Sequence, residues 1–173
     1  MIHFISDTHF GHKNIIKYCN LPFLDVEEMD EVLIKNWNNV VDSKDTVYHL
    51  GDFSFRDPNA YVNRLKGKIV LIRGGHDFKF KNELRCFNDV FDLKTIKIKD
   101  KTIVLCHYCL RVWDKSHYNS WHLFGHSHGK LESIGKSHDV SVNNIDFKPI
   151  SFENLEKTMQ DKPDNFNLLK TLH

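Results

Sequence analysis

Short apolar runs separated by polar turns recur along the chain, while three segments have helical spacing instead. The runs predict strands at residues 2–6, 45–50 and 68–74, a hairpin over 93–108, and later strands within 120–129 and 138–151. Helices are predicted at residues 25–41, 59–65 and 151–160. Asp25 is the expected N-cap of the first helix, with Glu28 as its capping-box partner.

Strands first alternate with helices and later form hairpins, which is typical of an α/β protein. The order predicts a single domain over residues 1–173, built on one mixed sheet or on a pair of sheets. The tail at residues 161–173 is polar, and we expect it to dock loosely.

Composition excludes some classes of protein. The chain has 24 basic and 23 acidic residues, and this formal net charge of +1 does not support a nucleic acid partner, although a local patch can bind one. No apolar run approaches the roughly 18 residues of a membrane span, and no signal peptide precedes the first strand. The four cysteines are expected to be reduced thiols, which favours a cytoplasmic location.

Residues that bind metals or transfer protons follow five of the predicted strands. They are Asp7 and His9, Asp52, His76 and Asp77, His107, and His126 and His128. Ligands of α/β sheets bind at the carboxyl ends of strands, so these five ends are expected to share one crevice. An extended backbone would point both members of the Asp7–His9 pair, and of the His126–His128 pair, in one direction.

Two carboxylates and four histidines, apart from His76, exceed the needs of one tetrahedral metal site. The donor types suit Mn, Fe or Zn, and they predict two cations that share Asp52 as a bridge. Two cations about 3.5–4 Å apart would clamp a phosphoryl group and supply a hydroxide nucleophile. Any one of these residues alone is better explained by packing, and only their joint occurrence predicts a site. The remaining histidines are expected in the core or on the surface, except that His49 is a candidate partner of the ligands; they are His3, His117, His122, His138 and His173.

In this order, the blocks DTH, GD, GGHD, CH and GHSH resemble those of the calcineurin-like metallophosphoesterases. The text around them, such as VYHLGDF and WHLFGHSHG, resembles a small bacterial and phage subgroup, to about Ser151. The resemblance implies a two-sheet α/β/β/α sandwich with a dinuclear centre at one edge. It implies Mn²⁺ as the expected cation, with Fe, Zn or Ni as alternatives. The implied ligands are Asp7, His9, Asp52 and His128 for the first metal, and the bridging Asp52 with His107 and His126 for the second.

The resemblance also implies roles within the GGHD block. His76 would protonate the leaving oxygen or steady the transition state, and Asp77 would orient it through a carboxylate–imidazole hydrogen bond. The family block normally has Asn before this histidine, and the Asn oxygen binds the second metal; here the position is Gly75. A milder departure is Asn143, where the subgroup commonly has Asp; no role is assigned to it.

Three interpretations of Gly75 are open. Water takes the ligand position and the enzyme still works, or the centre is mononuclear or inactive and the protein only binds a phosphorylated partner. In the third, the glycine was selected or introduced to weaken activity or to allow another backbone path, since glycine admits positive φ.

Hydrolysis of a phosphate ester is the leading functional hypothesis, and a compact domain favours a small or nucleotide-like diester. Candidate substrate contacts are His12, Lys13 and Arg73, with solvated surface positions as the alternative for each. A non-catalytic metal- or phosphate-binding module is the rival that Gly75 suggests. A nuclease is a further alternative, although it needs a basic groove that the net charge does not support.

Overall fold

Two β-sheets form the centre of the computed structural model, which describes residues 1–168. The first sheet has the strand order β4-β3-β2-β1-β9, and the second has the order β5-β6-β7-β8. The first sheet contains β1 (Ile2–Ile5), β2 (Thr46–His49), β3 (Lys68–Ile72), β4 (Asp89–Phe91) and β9 (Ile150–Ser151). The second contains β5 (Leu93–Ile98), β6 (Lys101–Cys106), β7 (Trp121–Phe124) and β8 (Ser137–Asp139). This confirms the two-sheet α/β architecture.

Parallel pairing sets the direction of the strands that matter for the site. Strands β1 to β4 are mutually parallel, and only β9 runs antiparallel in that sheet. Strands β6, β7 and β8 are also parallel, while β5 and β6 form the predicted antiparallel hairpin. The carboxyl ends of β1, β2 and β3 therefore share one edge, as do those of β6, β7 and β8.

The helices are α1 (Ile15–Tyr18), α2 (Val26–Val40), α3 (Asn59–Val62) and α4 (Phe152–Gln160). Asp25 caps α2 as predicted and accepts a hydrogen bond from the backbone N–H of Glu28 at 2.8 Å. The Glu28 carboxylate reaches one residue further back than a capping box requires, to the N–H of Leu24. Ser151 caps α4 by accepting from the N–H of Asn154. None of the helices in the described chain is long and apolar enough to cross a membrane.

The core has two parts, one on each face of the first sheet. One face packs against α2, whose Met29, Leu33 and Trp37 are buried with Val47 and Leu71. The other part lies between the sheets and includes residues of β1, β3, β6, β7 and α4. Because both faces of its strands are covered, the first sheet is a firm base for the loops at its carboxyl edge.

The described part of the tail is anchored through Asn165 to the loops that precede β7 and β8. Asn165 is buried and donates to the carbonyls of Ser116 and Ser120 at 2.9 and 3.0 Å, and it accepts from the N–H of Lys136. Residues 169–173, including His173, lie outside the described residues.

Candidate metal centre

All five sets of candidate residues lie beyond the carboxyl ends of strands, at one edge of the molecule. Asp7 and His9 follow β1, Asp52 follows β2, and His76 follows β3. From the second sheet, His107 follows β6, and His126 and His128 follow β7. The parallel registers thus bring side chains from both sheets together, as the spacing of the motifs predicted.

Two sets of three side chains have the geometry to hold a cation. The first ligand group is Asp7, His9 and His128, and the second ligand group is Asp52, His107 and His126; within each, the ligand atoms lie within 4.8 Å of one another. In the first ligand group, the Nε2 atoms of His9 and His128 are each 3.8 Å from Asp7 Oδ1. In the second ligand group, His107 Nε2 is 3.5 Å from Asp52 Oδ2.

Asp52 stands between the two ligand groups. Its Oδ2 atom is 3.8 Å from His9 Nε2 and 3.9 Å from His76 Nε2, besides its contact with His107. Asp52, His9 and His76 form a third set with cation-binding geometry. One oxygen that faces ligands of both groups has the position that a bridging carboxylate requires.

Several buried polar atoms at this edge lack a hydrogen-bond partner. Asp7 Oδ1, His9 Nε2 and His107 Nε2 are all buried without one in the described structure. Buried polar atoms in proteins are nearly always paired, so three such atoms at one edge of the molecule need a common explanation. Carboxylate and imidazole donors fit divalent Mn, Fe or Zn ions, and ions held by the two ligand groups would satisfy all three atoms.

The backbone at the ligands is left-handed. The φ angles are +57° at Asp7, +45° at His9, +54° at Asp52, +65° at His126 and +50° at His128. The expected extended backbone for the two i, i+2 pairs is therefore wrong. Non-glycine residues rarely adopt this conformation, and it persists where the surroundings enforce it, often at functional sites.

Two glycines allow close packing beneath the carboxylates. A Cβ on Gly74 would collide with the Asp52 side chain and would lie 2.7 Å from the backbone nitrogen of Asp52. A Cβ on Gly125 would collide with the side chains of Asp7 and Ser6. Gly75 differs, because a Cβ there would meet only the Tyr108 hydroxyl, at 3.1 Å, among the described residues.

Hydrogen bonds away from the centre orient two of the imidazoles. His107 Nδ1 lies 2.7 Å from the Leu50 carbonyl, to which it donates, so its Nε2 is turned towards Asp52. His128 Nδ1 lies 3.0 Å from Asn143 Oδ1 and has the equivalent partner there. No role was predicted for Asn143; the available signal was its place in the turn after the last strand of the second sheet.

Asp139 shapes the GHSHG turn, which sequence reasoning also missed. Its carboxylate accepts from the Ser127 hydroxyl and the Gly129 N–H at 2.7 and 2.8 Å, and from the Ser141 N–H at 2.8 Å. The available sequence signal for this role was an acid at the end of a predicted strand, since Asp139 is the last residue of β8.

Asp77 does not orient His76, and that expectation is wrong. Its two oxygens accept from the backbone N–H groups of Asp52, Phe53 and Gly74 at 2.8–3.0 Å, which ties the GD loop to the GGHD turn. Burial raises the pKa of this carboxyl. His76 is half-exposed and is placed by its own N–H, which donates to Asp52 Oδ1 at 2.9 Å.

Of the three expected substrate contacts, only His12 lines the cavity over the centre. This cavity of about 400 Å³ is also bordered by Asn14, Tyr18 and Phe55. The His12 ring stacks on Phe55 with 3.7 Å between centroids. Lys13 is exposed and does not line this cavity. Arg73 also lies outside it, because its guanidinium pairs with Asp92. A separate cavity of about 600 Å³ beside β9 holds none of the candidate ligands.

The remaining histidines have structural roles. His49 is buried, contacts the Thr8 hydroxyl at 3.0 Å and accepts from the Gly51 N–H at 3.2 Å, so it braces the loops that carry the ligands. Burial lowers its pKa to about 3, which keeps it neutral. His3 pairs with Asp45, and His122 bonds the Val104 carbonyl. His117 and His138 lie outside the cation-binding sets of the described residues.

Burial and charge pull the ligand pKa values in opposite directions. Burial raises the pKa of Asp7 to about 6 and lowers that of His9 to about 3. Burial would also lower the pKa of His107, but the Asp52 and Asp7 carboxylates overcome it and raise this pKa to about 9. His107 in turn holds the pKa of Asp52 well below its usual range, against the effect of burial. The cation-free centre therefore keeps a proton on His107 at neutral pH, where a cation would compete with it.

The fold and this set of strand-end residues are those of the calcineurin-like phosphoesterase superfamily, and comparison with known sequences agrees. Residues 1–146 match the calcineurin-like phosphoesterase superfamily domain, and the chain belongs to this superfamily. It is 40% identical over 172 residues to an uncharacterized protein of Methanocaldococcus jannaschii, which covers 92% of this chain and 91% of that relative. It is also 41% identical over 80 residues to the Gene 66 protein of Mycobacterium phage L5. This match covers 43% of this chain and 38% of the phage protein.

A solved structure has a similar fold. The crystal structure of a protein of unknown function from Aquifex aeolicus superposes with a TM-score of 0.69 at 29% identity. The match covers 91% of this chain and 98% of the Aquifex chain. The predicted family is confirmed.

Proposed function

We propose that the protein hydrolyses a phosphate ester with the aid of two divalent cations, for which Mn²⁺ is the expected species. The observation that carries this proposal is the set of buried, partnerless atoms on Asp7, His9 and His107 among the two ligand groups. The proposed ligands are the first ligand group with Asp52, and the second ligand group, in which Asp52 is shared. Bound there, the cations would polarise the phosphoryl oxygens and lower the pKa of a water.

The chain itself supplies a proton carrier and a fixed framework. His76 is half-exposed beside the cavity, and its backbone N–H anchors it to Asp52. We assign to its imidazole the transfer of a proton to the leaving oxygen, the step in which a histidine typically contributes 10²–10⁴-fold. Asp77 acts as a positioning residue, because it holds the loops of Asp52 and Gly74 in register.

The rim of the cavity supports a small, nucleotide-like phosphodiester as the substrate. The Phe55–His12 stack and the exposed ring of Tyr18 line the cavity beside the ligands. Aromatic faces stack on nucleobases with little dependence on sequence. A cavity of about 400 Å³ is in the range of sites for small ligands. The aromatic rim therefore favours a nucleotide-like leaving or retained group over a small alkyl ester.

Hydrolysis of bis-p-nitrophenyl phosphate and p-nitrophenyl phosphate, with and without Mn²⁺, tests this proposal. We expect turnover that depends on Mn²⁺ and is faster on the diester. His76→Ala is expected to lower kcat by about 10²-fold or more, whereas His117→Ala, outside the site, leaves it unchanged. An equal rate for wild type and the His76 variant would contradict the proposed proton transfer.

A non-catalytic metal- or phosphate-binding module is the second candidate, and Gly75 is the observation that favours it. The family's usual Asn oxygen at this position is replaced by a residue without a side chain. This candidate predicts that the protein binds Mn²⁺ and inorganic phosphate, with one cation or with an inactive pair, but turns over neither ester. Binding of Mn²⁺ and phosphate with no hydrolysis would replace the enzymatic proposal with this one.

A further inference from the structure

The space beside Gly75 contains the hydroxyl of another residue. A Cβ at this position would lie 3.1 Å from the Tyr108 hydroxyl, with no other described atom outside its chain neighbours within 4 Å. Most real Cβ atoms keep a longer distance, so an Asn at residue 75 and Tyr108 in its present position would compete for the same space. The two positions, 33 residues apart in the sequence, are therefore structurally linked.

Tyr108 also borders the second ligand group. Its ring centroid is 4.8 Å from that of His107 and 4.9 Å from that of His126, and both contacts are edge-on. The ring thus lies against two ligands of this group, while its hydroxyl points towards Gly75. The phenol oxygen lies on the side of the second ligand group where the family Asn would begin.

The buried His122 holds the loop that carries Tyr108 in place. His122 accepts from the Leu110 N–H at 3.0 Å and donates through Nδ1 to the Val104 carbonyl at 3.0 Å. Both ring nitrogens are used, so the loop directly after β6 is anchored to β6 and β7. A hydroxyl on an anchored loop loses little freedom when it binds, which favours a defined role over a chance contact.

We propose that Tyr108 supplies the oxygen donor for the second cation that Gly75 lacks. The inference rests on the proposed function, because it takes the second ligand group as a cation site. In this arrangement the Tyr108 phenol takes the part of the missing Asn amide oxygen. On this proposal, the Tyr108 hydroxyl compensates for the side-chain oxygen that Gly75 lacks.

Cation binding, measured without turnover, tests the proposal. Mn²⁺ titration by calorimetry and metal content after gel filtration are compared for wild type and Tyr108→Phe, which removes only the hydroxyl. We expect Tyr108→Phe to weaken the weaker of two Mn²⁺ sites by about tenfold or more and to leave the tighter site unchanged. Tyr118→Phe, an exposed tyrosine outside the centre, is the matched control and is expected to match wild type.

The double variant Gly75→Asn/Tyr108→Phe sharpens the test. Since it restores the family oxygen and removes the competing hydroxyl, we expect it to recover the weaker Mn²⁺ site. Unchanged binding in Tyr108→Phe, or no recovery in the double variant, would overturn the proposal. So would a Tyr108→Phe protein that loses affinity for inorganic phosphate alone, which would make Tyr108 a substrate contact.

His126→Ala separates this inference from the proposed function. If it abolishes the weaker Mn²⁺ site while Tyr108→Phe does not, the cation centre stands and only the role of Tyr108 fails. If His126→Ala also leaves both sites unchanged, the second ligand group is not a cation site and the proposed dinuclear function fails with it.

Discussion

The two ligand groups differ in how firmly the fold holds them. In the first ligand group, Asp7 and His9 are buried, and His128 is oriented by Asn143. In the second ligand group, Asp52 and His107 are equally buried, but His126 is exposed. The first group is the more deeply buried, although His9 and His128 also line the cavity, whereas the second has an exposed member.

The second ligand group, with its exposed member, is also where this chain departs from its family. Gly75 and the half-exposed Tyr108 border the second ligand group, and the first has no comparable gap. A side chain at the surface can change without disturbing the core, whereas a buried ligand cannot. The packing of the sheets therefore determines the geometry of the first proposed cation site, whereas residues at the rim determine part of the geometry of the second.

The largest effect is expected from a change at Asp52, because its Oδ2 atom faces both ligand groups and its loss would affect both of them. Asp52→Asn is expected to lower Mn²⁺-dependent hydrolysis by about 10³-fold or more and to weaken both cation sites, since cations contribute several kcal/mol to such reactions. Calorimetry and a diester assay measure this. Asp100→Asn, in the turn at the far end of β6, is the control. Loss of only one cation site would show that Asp52 does not bridge.

The second prediction compares two adjacent glycines, Gly74, which has no space for a side chain, and Gly75, which has space for one. Gly74→Ala is expected to destabilise the fold by about 1–3 kcal/mol, because its Cβ would press on the Asp52 backbone and side chain. Gly75→Ala meets only the far end of Tyr108 and is expected to change stability by about 0.5 kcal/mol or less. Urea denaturation measures the free energy of unfolding of the two variants. Equal losses of stability would contradict the predicted difference between the two glycines.

A third prediction separates the groups by way of a partner residue. Asn143→Ala removes the acceptor that orients His128 and is expected to weaken only the tighter Mn²⁺ site, by about tenfold. Asn36→Ala is the control, since its side chain bonds the Phe147 carbonyl and lies outside the ligand groups. An Asn143→Ala protein that weakens the other site would reverse our assignment of the more deeply buried group as the tighter one.

The smallest expected effect concerns a proton in the second ligand group. His107 has a folded-state pKa of about 9 against an ordinary 6.5, so its stabilising charge is fully present below pH 6.5 and is lost as the pH rises to about 9. The Tm of chelator-treated protein should fall over this range, and the Tm of the Mn²⁺-loaded protein should not share the fall. At pH 7.5, Mn²⁺ binding should release about one proton from His107. Calorimetry in buffers of different ionisation enthalpy measures it, and no release would refute the charged state.

Local patterns carried most of the fold and the members of the site. The apolar runs located most strands to within a few residues, although none predicted β4 (Asp89–Phe91). The motif blocks could be recognised because each is continuous in sequence. The hairpin of β5 and β6 was predictable for the same reason, since Ile96 and Ile98 alternate before the turn at Lys99. The exact ends of the strands and helices, and the hydrogen bond of Glu28 to the Leu24 N–H, depend on neighbouring residues outside the local patterns.

The errors share a physical origin in contacts between distant segments. The left-handed backbone at Asp7 and His9 is enforced by loops from other strands, so local rules for extended chain failed there. Asp77 had three backbone N–H groups to bind, two of them in the loop after β2, and no sequence window contains that information. Asn143 and Asn165 act across 15 and 45 residues, a separation that spacing alone does not encode.

Each ligand group takes members from both sheets, and this has a consequence for the lifetime of the protein. Asp7 and His9 lie on one sheet and His128 on the other, and Asp52 faces His107 across the same divide. A bound ion would add a link between the two sheets to the core that already joins them, so loss of the metal should lower the stability of the folded state and increase proteolysis. We therefore expect the abundance of this protein in a cell to follow metal supply, which would remove idle copies without a dedicated regulator.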